Sequence, residues 1–203
     1  MKFATTLRGA FAAFAALSLA ACGINSVPAA EEEAKAKWAD VEAQFQRRSN
    51  LIPNLAEVTR GAGENERSIL TQVTEARARA TSVNVSGADL NDPAKMEQYA
   101  AAQSQLGAGI GRLLASVEAY PTIQSNQNYL ALQSQLEGTE NRIAVAIRDY
   151  NEAVRKYNTT IRTFPDSIGA NIIHGADPMV PYAAVTEGAE TAPTVDMTAN
   201  RST

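Results

Sequence analysis

The sequence predicts an all-α fold, an elongated antiparallel helical bundle with about four main helices. Three observations carry that reading. Apolar residues from Trp38 to Phe164 recur at three- and four-residue steps, the period of an amphipathic helix. The stretch Asn128–Phe164 keeps one apolar stripe over about 36 residues, roughly 54 Å of helix, which only similarly long helices can cover. Gly61, Gly63, Pro121 and Pro165 then cut the chain into segments of helical length.

The elements follow in order. Lys2 and Arg8 precede an apolar run, Ala10 to Ala21, that closes on Leu19-Ala20-Ala21-Cys22. A basic start and about 7–15 apolar residues read as an export signal. A spanning helix needs about 20. Small residues ahead of the chain's single cysteine predict a lipoprotein signal over residues 1–21, with Cys22 taking a diacylglyceryl group and its new amino terminus a further acyl chain. Gly23, rather than Asp, favours the outer membrane by resemblance to enterobacterial sorting. Removing 21 residues leaves 182 and takes the formal charge from −4 to −6, because Lys2 and Arg8 depart. An acidic chain without a basic cluster is a poor nucleic-acid binder.

Residues 22–30, with Pro28, read as a lipidated tether. The helical domain is expected over 31–182. Its first helix starts near Glu31, where Glu31-Glu32-Glu33 would meet the positive end of the helix dipole. Trp38, Val41, Phe45, Ile52, Leu55 and Val58 form its stripe, and Pro53 is expected to kink it. Asn54 is placed to bond a carbonyl freed by Pro53. A second helix runs roughly from Asn65 to Thr81. Asp92-Pro93 predicts the start of the third, Asp as cap and Pro at the first helical position. Met96, Tyr99, Leu106, Ile110, Leu113 and Val117 are its buried stripe. Gly107, Gly109 and Gly111 leave room for a close neighbour. Tyr120-Pro121 ends it. Tyr129, Leu132, Leu136, Ile143, Ile147, Tyr150, Val154, Tyr157, Ile161 and Phe164 mark the last helix, with one polar gap near Glu140. Residues 183–203 read as a largely disordered tail, with a short contact by Val195-Asp196-Met197 left open.

Four stretches, in this order and at this spacing, resemble the LemA family. They are Gln46-Arg47-Arg48-Ser49-Asn50-Leu51-Ile52-Pro53-Asn54-Leu55; Val117-Glu118-Ala119-Tyr120-Pro121 followed by Asn128-Tyr129-Leu130-Ala131-Leu132-Gln133; Tyr150-Asn151-Glu152-Ala153-Val154 with Tyr157-Asn158; and Phe164-Pro165. The resemblance covers about Lys37 to Val180. It implies an envelope-associated helical domain without established enzymatic activity, usually carried on an amino-terminal membrane helix. Here a lipid anchor stands in that helix's place, so the domain is expected to face the periplasm. The chain departs from the family pattern at Asn65-Glu66, where many members have His before Glu, and at Tyr182-Ala183, where an aromatic pair is common.

Several residues are candidates for interaction. Arg47 and Arg48 either form a solvated charge pair or bind a carboxylate, internal or from a partner. Glu118, Tyr120 and Pro121 belong to the turn before the last helix, with Tyr120 packing under the loop or lining a binding site. Tyr150-Asn151 and Tyr157-Asn158 repeat at seven residues, which puts both pairs on one helix face. The asparagines either fix helix register through buried contacts or form an exposed ladder for a partner. His174 has Asp177 nearby and no second strong metal ligand. No zinc motif, calcium loop, Ser-His-Asp arrangement or phosphate loop is legible, so no metal or cofactor is expected. The expected partners are the membrane, other envelope proteins and further copies of the chain. A non-catalytic scaffold is the leading expectation. A periplasmic peptide- or small-ligand-binding module is the alternative, and a hidden carboxylate-dependent enzyme the remaining one.

Overall fold

The computed structural model describes residues 2–59 and 64–183, with side chains over 25–59 and 67–183. The tail beyond 183, including Val195-Asp196-Met197, and the break at Gly61 and Gly63 lie outside the described residues. Helix α1 spans Lys2–Thr59, α2 Glu64–Ser82, α3 Pro93–Val117 and α5 Gln127–Thr160. A short α4, Pro121–Gln124, joins α3 to α5, and a short α6, Asp166–Gly169, leads into a π-type turn over Ala170–His174.

Helix α1 lies along α5, and α2 lies along α3. Glu33 of α1 pairs with Lys156 of α5 at 2.6 Å, while Arg48 pairs with Glu140 at 3.2 Å. Residue numbers rise along one helix as they fall along the other, so the pair is antiparallel. The result is an elongated bundle of several long helices.

The apolar stripes meet in two cores. The proximal one joins Val27, Ala34, Trp38, Val41 and Phe45 of α1 to Tyr99 of α3 and to Tyr150, Val154 and Tyr157 of α5. The distal one joins Ile52 and Leu55 to Val73, Leu106, Leu113, Val117, Tyr129 and Leu136. Gly109 lets α2 approach α3 closely: a Cβ there would stand 3.3 Å from Val73 Cγ2. Asp92 caps α3, accepting from the Ala94 and Lys95 amides at 3.0 and 3.3 Å, and Pro93 occupies the first turn as its fixed φ allows.

The helical start expected near Glu31 is corrected. The α1 backbone is helical through residues 22–30, and Val27, Ala30 and Ala34 extend the buried stripe. Burial of that face overrides Pro28, which removes one helical N–H. Glu31, Glu32 and Glu33 therefore sit inside a helix. Glu31 and Glu32 contact Lys35 at 2.7 and 3.1 Å. The last helix also ends four residues early, at Thr160, ahead of the cis Phe164–Pro165 peptide, so Phe164, expected in its apolar stripe, is exposed instead.

Candidate functional site

Beyond His174 the chain turns at Gly175, φ +56°, and runs back along α5 as an extended strap. Two Tyr-Asn pairs hold it. Asn158 donates Nδ2–H to the Met179 carbonyl at 2.8 Å and accepts the Met179 amide at Oδ1 at 2.9 Å. Asn151 does the same with Tyr182, at 3.0 and 2.8 Å. Tyr150 donates to the Val180 carbonyl at 2.8 Å, and Tyr157 to that of Asp177 at 3.1 Å. The Val180 amide reaches the Leu90 carbonyl at 2.8 Å.

The geometry has a simple origin. Seven helical residues rise about 10.5 Å, and three extended residues cover about 9–10 Å. Asn158 to Asn151 thus matches Met179 to Tyr182. Pro178 and Pro181 have no N–H to satisfy. Each remaining amide from Met179 to Tyr182 has an acceptor, as a buried main chain requires. The ladder's ligand is main chain, and the chain supplies it itself.

The strap's Tyr182 ring completes an aromatic cluster. It lies 6.4 Å from Trp38 and 5.8 Å from Phe45, while Trp38 meets Tyr99 edge-on at 5.3 Å and Tyr150 at 5.1 Å. Trp38 Nε1–H donates to the Val85 carbonyl at 2.8 Å, so its one polar atom is satisfied. Burial pushes the Tyr182 hydroxyl up to about 12, with Arg48 acting against it and Glu140 with it. Burial alone raises Tyr150.

Between the two cores sits one polar layer. Arg48 is 4% exposed. Its Nη2 donates to the Gln103 carbonyl and to Gln103 Oε1, both at 2.9 Å, and Nη1 donates to Glu140. The guanidinium carbon lies 4.9 Å from the centre of the Phe45 ring. Glu140, half exposed, keeps its carboxylate partly in water. This layer is the polar gap in the α5 stripe.

The other sequence candidates do not join these groups. Arg47 is exposed and separates from Arg48. Glu118 is exposed beyond the distal core, where its carbonyl accepts from Gln124 Nε2 at 3.1 Å. Tyr120 is half-buried against the distal core and precedes Pro121, the first residue of α4. Asn54 is exposed and does not serve Pro53. Arg77 serves it instead, donating Nε–H to the Ser49 carbonyl at 2.9 Å. Sequence reasoning missed the partners of Arg77 and Gln103. Their pairings span 28 and 55 residues, and only the docked helices reveal them. The Cys22 side chain lies outside those described, though its backbone is on α1. Among the described residues no cluster of His, Cys, Asp and Glu is fit to hold a metal ion, and no helix is long and apolar enough to cross a membrane.

Fold and site define a helical-bundle protein whose buried polar groups clamp its own main chain. The LemA family model matches residues 37–197, and the chain belongs to the LemA family. It is similar to magnetosome protein MamQ 2 of Paramagnetospirillum magneticum, 31% identical over 157 residues, covering 70% of this chain and 58% of that protein. Magnetosome protein MamQ of Magnetospirillum gryphiswaldense is 29% identical over 150 residues, with 66% and 55% covered. Protein LemA of Metamycoplasma hominis is 24% identical over 124 residues, with 61% and 52% covered. The chain spans a little over half the length of these relatives.

Proposed function

We propose that the chain is a non-catalytic, lipid-anchored scaffold of the bacterial cell envelope, binding envelope proteins or further copies of itself. One observation carries this reading. Arg48 with Gln103, and the two Tyr-Asn pairs, join helix to helix and strap to helix. That is a use of buried polarity for specificity of assembly. Cys22 carries the acyl chains, and two or more chains anchor stably at about 0.8 kcal/mol per buried methylene. The domain faces the periplasm, with the outer membrane its destination. The likeness to LemA and MamQ proteins supports a role shared across the family.

The test is crosslinking in intact cells, followed by mass spectrometry of the purified protein, with Cys22→Ser alongside. A reproducible, anchor-dependent partner on the helical domain is the expected result. Recovery of nothing above the Cys22→Ser control defeats the reading.

A second reading has its own support. The Asn151–Asn158 ladder binds an extended main chain, which is what a peptide-binding module does. Full-length protein weakened in its strap by Met179→Ala and Tyr182→Ala would then bind a peptide spanning residues 176–183. Absence of saturable binding eliminates this alternative.

A further inference from the structure

We infer that the turn region Phe164–Ile173 is a membrane-contact surface that dips into the lipid beside the anchor. It deepens the anchoring proposed above and rests on it. Among the described residues, the exposed large apolar side chains are Leu130, Val145, Phe164, Ile168, Ile172 and Ile173. Scattered exposed apolar residues are ordinary. These are not scattered: four of the six fall within ten residues, at exposures of 69%, 51%, 80% and 58% for Phe164, Ile168, Ile172 and Ile173. Phe164 stands just ahead of α6, Ile168 on it, and Ile172 and Ile173 in the π-type turn that follows.

Their place in the fold names the occupant. Helix α6 packs on the early part of α1, and Ser26 Oγ donates to Asp166 Oδ1 at 2.8 Å. Cys22 precedes Ser26 by four helical residues, about 6 Å along the axis. The backbone between them is continuous α-helix, and packing has begun by Val27. No slack tether separates anchor from bundle. Acyl chains on Cys22, the first residue of the cleaved chain, put lipid off this end of the bundle. An acylated Cys22 therefore holds the exposed isoleucines at the bilayer surface. With a formal charge of −6 after cleavage, the chain has little electrostatic attraction to anionic lipid. Apolar insertion to the acyl boundary is the contact left to it. Burying the patch also removes an exposed apolar surface, the usual mark of an interaction site.

The experiment uses the full lipidated chain in phosphatidylethanolamine–phosphatidylglycerol vesicles. A nitroxide is attached at Ile172→Cys, at Ile168→Cys, or, for comparison, at Val145→Cys on α5. The acylated Cys22 thiol takes no label. Accessibility to oxygen and to a water-soluble nickel complex is then measured. Labels at 168 and 172 should gain oxygen access and lose nickel access several-fold relative to 145. Bound protein with all three labels equally open to nickel overturns the contact and leaves the anchor standing. Labels at 168 and 172 shielded from both reagents mean a protein cover, and overturn it too. A chain that stays off the vesicles, or that takes label at Cys22, refutes the anchor and the contact together.

Discussion

Arg77 on α2 donates its Nε–H to the main-chain carbonyl of Ser49 on α1, at 2.9 Å. Ser49 is four residues before Pro53. A helix would satisfy that carbonyl with the N–H of residue 53, and proline has none. The partner for the missing bond comes from another helix. An intrahelical defect thus becomes an interhelical contact, and it fixes where α2 sits along α1.

This relationship predicts an interaction between two substitutions. Arg77→Met keeps the stem and removes the donor, so it should cost about 1–2 kcal/mol by leaving the Ser49 carbonyl unsatisfied. Pro53→Ala restores the helical N–H. In that background Arg77→Met should cost no more than a few tenths of a kcal/mol beyond lost packing. Urea unfolding of the four proteins of the cycle measures the coupling. Additive effects would show that the bond carries no stability.

The Arg48 layer is asymmetric. Arg48→Ala removes a buried cation, leaves Gln103 without its donor and opens a cavity between the cores, so a loss of about 3 kcal/mol or more is expected. Glu140→Gln retains an acceptor at a half-exposed site and should cost less than about 1 kcal/mol. Arg48→Met fills the cavity and should fall between them. Denaturant midpoints at constant m-value decide the order, and Glu140→Gln proving the worst would invert this account.

Each strap asparagine should protect its own amide. Asn158 accepts the Met179 N–H and Asn151 that of Tyr182. Asn158→Leu should accelerate hydrogen exchange at Met179 before Tyr182, and Asn151→Leu the reverse. Each should lower stability by about 1–3 kcal/mol, because two bonds go and main-chain groups are left unpaired. Amide exchange read residue by residue separates a two-point clamp from a strap that opens as one unit.

What the sequence revealed, and what it hid, divides by range. The stripes of α3 and α5 are periodic over many turns, so the helical fold was legible. Asp92-Pro93 announced its helix start because capping is a local matter. The Tyr-Asn repeat showed a shared face, but nothing in α5 said that an extended strap 21–31 residues later would fill it. Arg47 and Arg48 look alike in sequence, and only docking buries one of them. Glu140 was visible as a gap in the stripe, without its arginine. At the amino end the reading missed the helical backbone over 22–30, because Gly23 and Pro28 argue locally against a helix. Burial of Val27 and Ala30, a tertiary effect, outweighs them.

Alkaline pH should release the strap end of the bundle. The Tyr182 hydroxyl is raised to about 12 in the folded chain, against about 10 for an unfolded tyrosine. A raised folded value means that the native state holds the proton longer. The stabilisation is therefore complete below about pH 10 and is lost as pH climbs towards 12. Tyr150 and Tyr99, raised chiefly by burial, push in the same direction. Stability should accordingly fall across this window. Tyr182→Phe removes one contributor and should flatten the fall, while keeping the ring against Trp38 and Phe45. Urea midpoints for both proteins at several alkaline pH values, with tyrosinate absorbance followed in parallel, test this. A parallel decline in the two proteins would assign the alkaline loss to other tyrosines.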